Sequence, residues 1–130
     1  AEMVVEDESG KECELGLVFV NNRRIRELNR HYLDRDYATD VLAFPQNEGE
    51  GESLHQWLLG DAVISTEQVA VQAKKFGQTV EEELALCLIH GILHLFGYRD
   101  YPEKESRIMG RVEKKLLKKW RRSGKWSLIK

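Results

Sequence analysis

The sequence predicts an α+β fold, a small central mixed sheet with helices packed on it. Three observations lead there. Short β-branched apolar runs alternate with segments of helical period. Asn22, Ser65 and Thr79 stand immediately before such segments, where helix caps belong. Residues 84–96 are apolar nearly all round, which suits a central helix buried between other elements and not a surface helix. With 130 residues, the chain is expected to form one domain spanning 1–130.

The elements follow in order. "ELGLVFVNN" is β-branched and apolar on both alternating faces, so residues 15–20 are expected as an interior strand. This strand arrives so early that an N-terminal element is expected to be missing. Asn22 is placed as the cap of a helix in which Ile25, Leu28 and Tyr32 recur at helical spacing. "TDVLAFP" (39–45) reads as a strand ended by Pro45, and the glycine-rich acidic "QNEGEGESLHQ" as a surface loop. "WLLGDAVIS" supplies a third strand. Ser65 with Gln68, then Thr79 with Glu82, are capping-box patterns, the first opening a helix that stops at Gly77 and the second the apolar helix 80–96. Asp100, Pro102 and Glu103 begin a last helix that runs to about Trp120.

Composition narrows the function classes. Apolar residues at 42% and charged residues at 32% are those of a globular protein, and no apolar run reaches the roughly 20 residues of a membrane span. "AEMVVEDESG" is acidic and lacks the apolar centre of a secretory signal. Cys13 and Cys87 stand far apart with no CxxC, so thiols in a reducing cytoplasm are expected, and no membrane partner. The net charge of −2 conceals a polarity: residues 1–14 hold six acids and one lysine, whereas "KKLLKKWRRSGKWSLIK" (114–130) holds eight basic residues and no acid. That block, interleaved with Trp120 and Trp126, suits contact with phosphate; a solvated helix end is the plainer reading. "NNRRIRELNRHYLDRD" poses the same alternative.

The chemistry concentrates in "HGILHLFGYRD" (90–100). Residues four apart share a helix face, so His90 and His94 point the same way. Two adjacent imidazoles in an apolar setting are costly unless paired, and a divalent metal that binds their neutral nitrogens removes the cost. Gly97 ends the helix, letting the chain bring Asp100 back toward the pair. The result is HxxxHxxGxxD, a three-donor zinc site of His90, His94 and Asp100 with one position open for water. The plainer alternative makes Gly97 only a C-cap and Asp100 only the cap of the last helix. Peptidase motifs of the form HExxH put a general base after the first histidine; here that position is Gly91, which abstracts no proton. Asp61 is a further polar candidate beside a turn role, Ser65 reads as a cap and not a nucleophile, and His31 and His55 read as surface residues.

Together with two earlier segments, these residues resemble the YbeY family of zinc-dependent endoribonucleases. "HGILHLFGYRD" follows that family's HGxLHLxGYDH except at the last two positions. "YLDRDYATDVLAFP" parallels YRxxDxPTDVLSFP, and "LGDAVIS" parallels LGDIxIS. The resemblance implies an α+β fold with a zincin-like central helix, one zinc ion per chain, and RNA as substrate. Within that, it implies ribosomal RNA or a ribosomal subunit as the partner, in rRNA maturation, with no DNA expected. The departures fall on Asp100, where the family has its third histidine ligand, on Arg99, where it has an acid, and on Leu33, where it has an arginine that serves cleavage. Arg35 and Arg99 are then the candidate catalytic residues, since a leucine at position 33 replaces no guanidinium. The alternatives are a non-catalytic, zinc-stabilised RNA-binding module and a zinc-dependent peptidase.

Overall fold

The structure, a computed structural model, describes residues 2–6, 10–46, 58–100 and 102–122. Eight elements are present among them: β1 (Glu2–Glu6), β2 (Glu12–Val20), α1 (Asn22–Leu33), β3 (Val41–Pro45), β4 (Leu58–Ser65), α2 (Thr66–Lys75), α3 (Val80–Leu95) and α4 (Glu103–Arg122). The strands form one mixed sheet in the order β1-β2-β4-β3. β2 and β4 run parallel, while β1 pairs antiparallel with β2 and β3 antiparallel with β4. The α+β expectation holds. The sequence reading missed β1, which precedes the strand expected first: "EMVVE" is flanked by acids, and only Met3 and Val5 on one face are buried. It becomes a strand because β2 offers it an edge.

Side chains alternate across the sheet and divide the core. Leu42 and Val63 point to one face, where Ile25 of α1 covers them. Leu15, Leu17, Ala62 and Ile64 point to the other, where they meet Val69 of α2 and Leu88 of α3. A further apolar cluster of Ile89, Leu93 and Met109 joins the back of α3 to α4. Thus α3 lies between the sheet and α4, as its all-round apolar surface predicts. β2 is interior by pairing, yet near its end Val18, on the α1 face, and Phe19, on the α2–α3 face, stay 43% and 48% exposed.

Local chemistry sets the helix boundaries. Thr79 caps α3, its hydroxyl accepting from the Glu82 amide at 3.1 Å. Ser65 likewise accepts from the Gln68 amide at 3.2 Å. The reciprocal half of that capping box is absent: the Ser65 amide donates to the Asp40 carbonyl, and the Gln68 side chain accepts from Asn22 instead. The cap of α1 is Asn21, not Asn22, with its side-chain oxygen 2.8 Å from the Arg24 amide. Asn22 is drawn away to Ser65, whose hydroxyl donates to its side-chain oxygen at 2.6 Å. Tyr32, expected on the inward stripe of α1, is exposed, and Asn29 takes the buried place by donating to the Tyr37 carbonyl at 3.0 Å. The proposed loop from Asn47 to Gln56, with His55, lies outside the described residues, as does Trp126.

The "LGD" segment has a physical reason. Between Glu14 and Leu15 the β2–β4 register jumps from Leu58 to Gly60, so Leu59 bulges inward and Gly60 takes φ +128°. A Cβ on Gly60 would lie 2.1 Å from the Phe44 carbonyl oxygen, so only glycine fits. Asp61 then falls on the same face as Val63, opposite to α3, with its carboxylate over Gly16.

Candidate metal centre

α3 presents His90 and His94 one turn apart near its C-terminal end. Their Nε2 atoms are 3.0 Å apart, and the rings meet edge to face with centroids 4.6 Å apart. Each Nδ1 has an acceptor. His94 Nδ1 donates to the Tyr98 carbonyl at 3.0 Å, and His90 Nδ1 donates to the Glu113 carboxylate. A carbonyl accepts only, so the proton of His94 sits on Nδ1 and its lone pair on Nε2. The same assignment holds for His90 against a carboxylate. Two lone pairs facing each other across 3.0 Å require something positive between them, a shared proton or a cation.

The turn after α3 completes the group. Gly97, at φ +98°, allows the Gly97 amide to donate to the His94 carbonyl and the Tyr98 amide to the Leu93 carbonyl, both at 3.0 Å. That double bond pattern is the Schellman motif. It reverses the chain and delivers both the Tyr98 carbonyl and Asp100. Asp100 Oδ2 lies 3.8 Å from His94 Nε2, and donor atoms of His90, His94 and Asp100 all lie within 4.8 Å of one another. Asp100 is half exposed and stands three residues before α4, whose first turn instead uses the Pro102 carbonyl as acceptor for Ser106. The three residues expected to act together are therefore adjacent.

Other candidates separate from this group. Arg99 is exposed beside Asp100; Arg35 is exposed just past the end of α1, and neither guanidinium is ion-paired with a described residue. Ser65 is fully buried as a cap. His31 is exposed against the Tyr32 ring. Trp120 is 1% exposed and belongs to the core, so among the described residues the phosphate contact expected of the 114–130 block falls to its basic side chains and not to this ring. The basic residues of α4 from Arg107 to Arg122 do face outward, since Met109, Val112, Leu116 and Leu117 hold the helix against α3.

Two features escaped the sequence reading. One is Glu113, a carboxylate standing on the apolar stripe Met109–Val112–Leu116–Leu117, which is the signal that marks it. The other is a buried trio one turn below His90. The Cys87 thiol donates to Asp40 Oδ2 at 3.4 Å and lies 3.9 Å from Glu83 Oε1. Burial, then the Asp40 charge, pushes the Glu83 carboxyl above the usual range. Burial and the same two carboxylates raise the Cys87 thiol far above its ordinary value, so it is an inert thiol. Asp40 also ties the start of β3 to this place, because its Oδ1 accepts from the Val41 amide at 2.8 Å. The Glu113 hydrogen bond raises the His90 pKa against the opposing effect of burial, with Asp40 and Asp100 adding smaller contributions.

Gly91 explains why no acid follows the first histidine. It faces the sheet, where an added Cβ would lie 3.1 Å from Val41 Cγ2 and 3.6 Å from the Ala62 Cβ. The residue after His90 is packing, not chemistry.

A small mixed sheet backed by a buried helix, with two imidazoles and a carboxylate that could hold a metal ion at its end, fits the metal-dependent hydrolase class. Within it, a family model described as Endoribonuclease YbeY matches residues 1–121, and the chain belongs to the YbeY endoribonuclease family. An Endoribonuclease YbeY of Listeria monocytogenes serotype 4b is 43% identical over 114 residues, covering 80% of this chain and 71% of its own. That of Carboxydothermus hydrogenoformans is 40% identical over 111 residues, covering 85% and 75%. The solution structure of TM1509 from Thermotoga maritima superposes with a TM-score of 0.56 at 33% identity, covering 82% of this chain and 70% of that one.

Proposed function

We propose that this chain is a zinc-dependent endoribonuclease that acts on ribosomal RNA during its maturation, in the cytoplasm. The observation that carries the reading is the pair of Nε2 atoms 3.0 Å apart, each on a ring whose Nδ1 is already engaged, with the Asp100 carboxylate alongside. Two neutral imidazoles and a carboxylate are an ordinary donor set for zinc. His90, His94 and Asp100 would hold the ion. Bound there, it supplies an acidified water and polarises a phosphoryl oxygen.

The chain's own residues do the rest. Arg99, next to Asp100 in sequence and exposed, would pair with a phosphate oxygen of the RNA. Arg35, exposed past the end of α1, would add a second phosphate contact, since Leu33 supplies no charge. The outward row Arg107, Arg111, Lys114, Lys115, Lys118 and Lys119 begins one helical turn beyond the site and neutralises backbone phosphates along α4. An open cleft beside α1 is lined by Arg23, Arg26 and Arg30 together with Glu27 and Asp36, which pair with Arg23 and Arg26. No described helix is long and apolar enough to cross a membrane.

The test is cleavage of structured ribosomal RNA by the purified protein, with and without chelator, beside His94→Ala and Asp100→Ala. The parent should cut in a chelator-sensitive, salt-sensitive manner, carry close to one zinc by elemental analysis, and lose both properties in His94→Ala. Absence of cleavage in both conditions, or a His94→Ala protein as active as the parent, refutes the reading. RNA binding that falls with salt but never leads to a cut would identify a non-catalytic module instead.

A further inference from the structure

We infer that Glu113 is a positioning residue for the metal centre: through Nδ1 its carboxylate fixes the ring and tautomer of His90, so that Nε2 presents its lone pair to the ion. The inference rests on the reading of His90, His94 and Asp100 as metal donors.

The two imidazoles are oriented by different elements. His94 is held by its own helix end, since the Tyr98 carbonyl can accept from Nδ1 only because the Gly97 turn folds it back. His90 sits one turn deeper, where the carbonyls of α3 are committed to the helix ladder. Its orienting group must come from another element, and the contact is made by Glu113 of α4, 23 residues further along. Glu113 occupies a position where the pattern of α4 asks for an apolar residue, four after Met109 and four before Leu117. A carboxylate there loses hydration, and that loss is offset only by a specific partner. The partner is His90 Nδ1.

This arrangement does two things for a ligand. In the neutral ring the proton is kept on Nδ1, so Nε2 is the free nitrogen and the ring is held against the other tautomer and against rotation about the side chain. The negative charge behind the ring also makes Nε2 a better donor. Because the tether reaches from α4 to α3, occupation of the site also tightens the docking of α4, which otherwise depends on the cluster of Ile89, Leu93 and Met109.

Glu113→Ala, Glu113→Gln, His94→Ala and Met109→Ala are compared by Zn²⁺ affinity in competition with a chromophoric chelator. Imidazole ¹⁵N shifts read the His90 tautomer, and thermal melting reads the metal-free fold. Glu113→Ala should bind zinc on the order of 10–100-fold more weakly. It should also show His90 in mixed tautomers. Glu113→Gln, whose amide oxygen still accepts from Nδ1, should recover much of the affinity. Met109→Ala should lower the melting temperature while leaving affinity within about threefold of the parent, because it loosens α4 without touching the imidazole. A Glu113→Ala protein with parental affinity, or one whose loss is matched by Met109→Ala, overturns the inference alone, provided His94→Ala has lost zinc. If His94→Ala binds as tightly as the parent, or the parent binds no zinc, the metal reading falls and this inference with it.

Discussion

Replacing Gly91 by glutamate would write HExxH into this chain, the spelling of a zinc peptidase. The geometry predicts destabilisation and no peptidase activity. A Cβ at position 91 already meets Val41 Cγ2 at 3.1 Å and the Ala62 Cβ at 3.6 Å, so the rest of a glutamate must be forced between α3 and the β3–β4 pair. Overpacking of this kind costs about 1–3 kcal/mol. An unpaired carboxylate held against Ala62 and Val41 adds about 3 kcal/mol or more. Relief of the glycine helix penalty returns less than about 1 kcal/mol. The net loss is on the order of 4 kcal/mol, a large part of the roughly 5–15 kcal/mol that holds a domain together. Urea unfolding followed by far-ultraviolet circular dichroism measures it. Gly91→Ala is the control and should stay within about 1 kcal/mol of the parent, since a gain in helix propensity of about that size opposes a contact only a few tenths of an ångström too close. A Gly91→Glu protein with the parental midpoint would refute the reasoning, and chelator-sensitive peptide hydrolysis by it would mean that position 91 faces the donors and not the sheet.

Gly60→Ala should cost on the order of 3 kcal/mol in thermal unfolding, because the new Cβ meets backbone at 2.1 Å and φ is +128°, neither of which a side-chain rotation relieves. Gly16→Ala should cost less, since its 2.1 Å contact is with the side-chain oxygen of Asp61, which can turn away. Glu83→Gln should raise stability at neutral pH. The carboxyl of Glu83 is raised by burial and by Asp40, so the folded state holds its proton more tightly than the unfolded one. The native protein therefore loses stability as pH rises from the ordinary glutamate value through the raised one, and the variant does not. Denaturation midpoints of the two should converge toward pH 4 and separate above it; parallel curves would show that Glu83 does not titrate as described.

Much of the site was legible because its elements are short-range. The i, i+4 spacing of His90 and His94, the glycine that reverses the chain and the acid three residues on all lie within eleven residues, so one helix end and its turn bring them together. The Thr79 cap and the all-round apolar surface of α3 are equally local. The reading failed where a residue had a better partner elsewhere. Asn22 gave up the capping role to reach Ser65, Tyr32 yielded its buried place to Asn29, and Asp100 stands clear of the first turn of α4. Trp120 looked accessible among lysines, yet the amphipathic period of α4 turns it inward.

By itself, then, the chain's order of residues determined the four helices, three of the four described strands, which helix is central, and that His90, His94 and Asp100 come close together, because each follows from period, caps and turns of a few residues. Only the folded structure decided the strand status of β1, the face on which Asp61 lies, the contact of Glu113 with His90 and the contact of Asp40 with the buried Cys87. The last two depend on pairings 23 and 47 residues apart. A contact of that reach leaves no periodic trace, since its energy comes from desolvation and hydrogen bonding realised only once α3, α4 and the sheet are packed together.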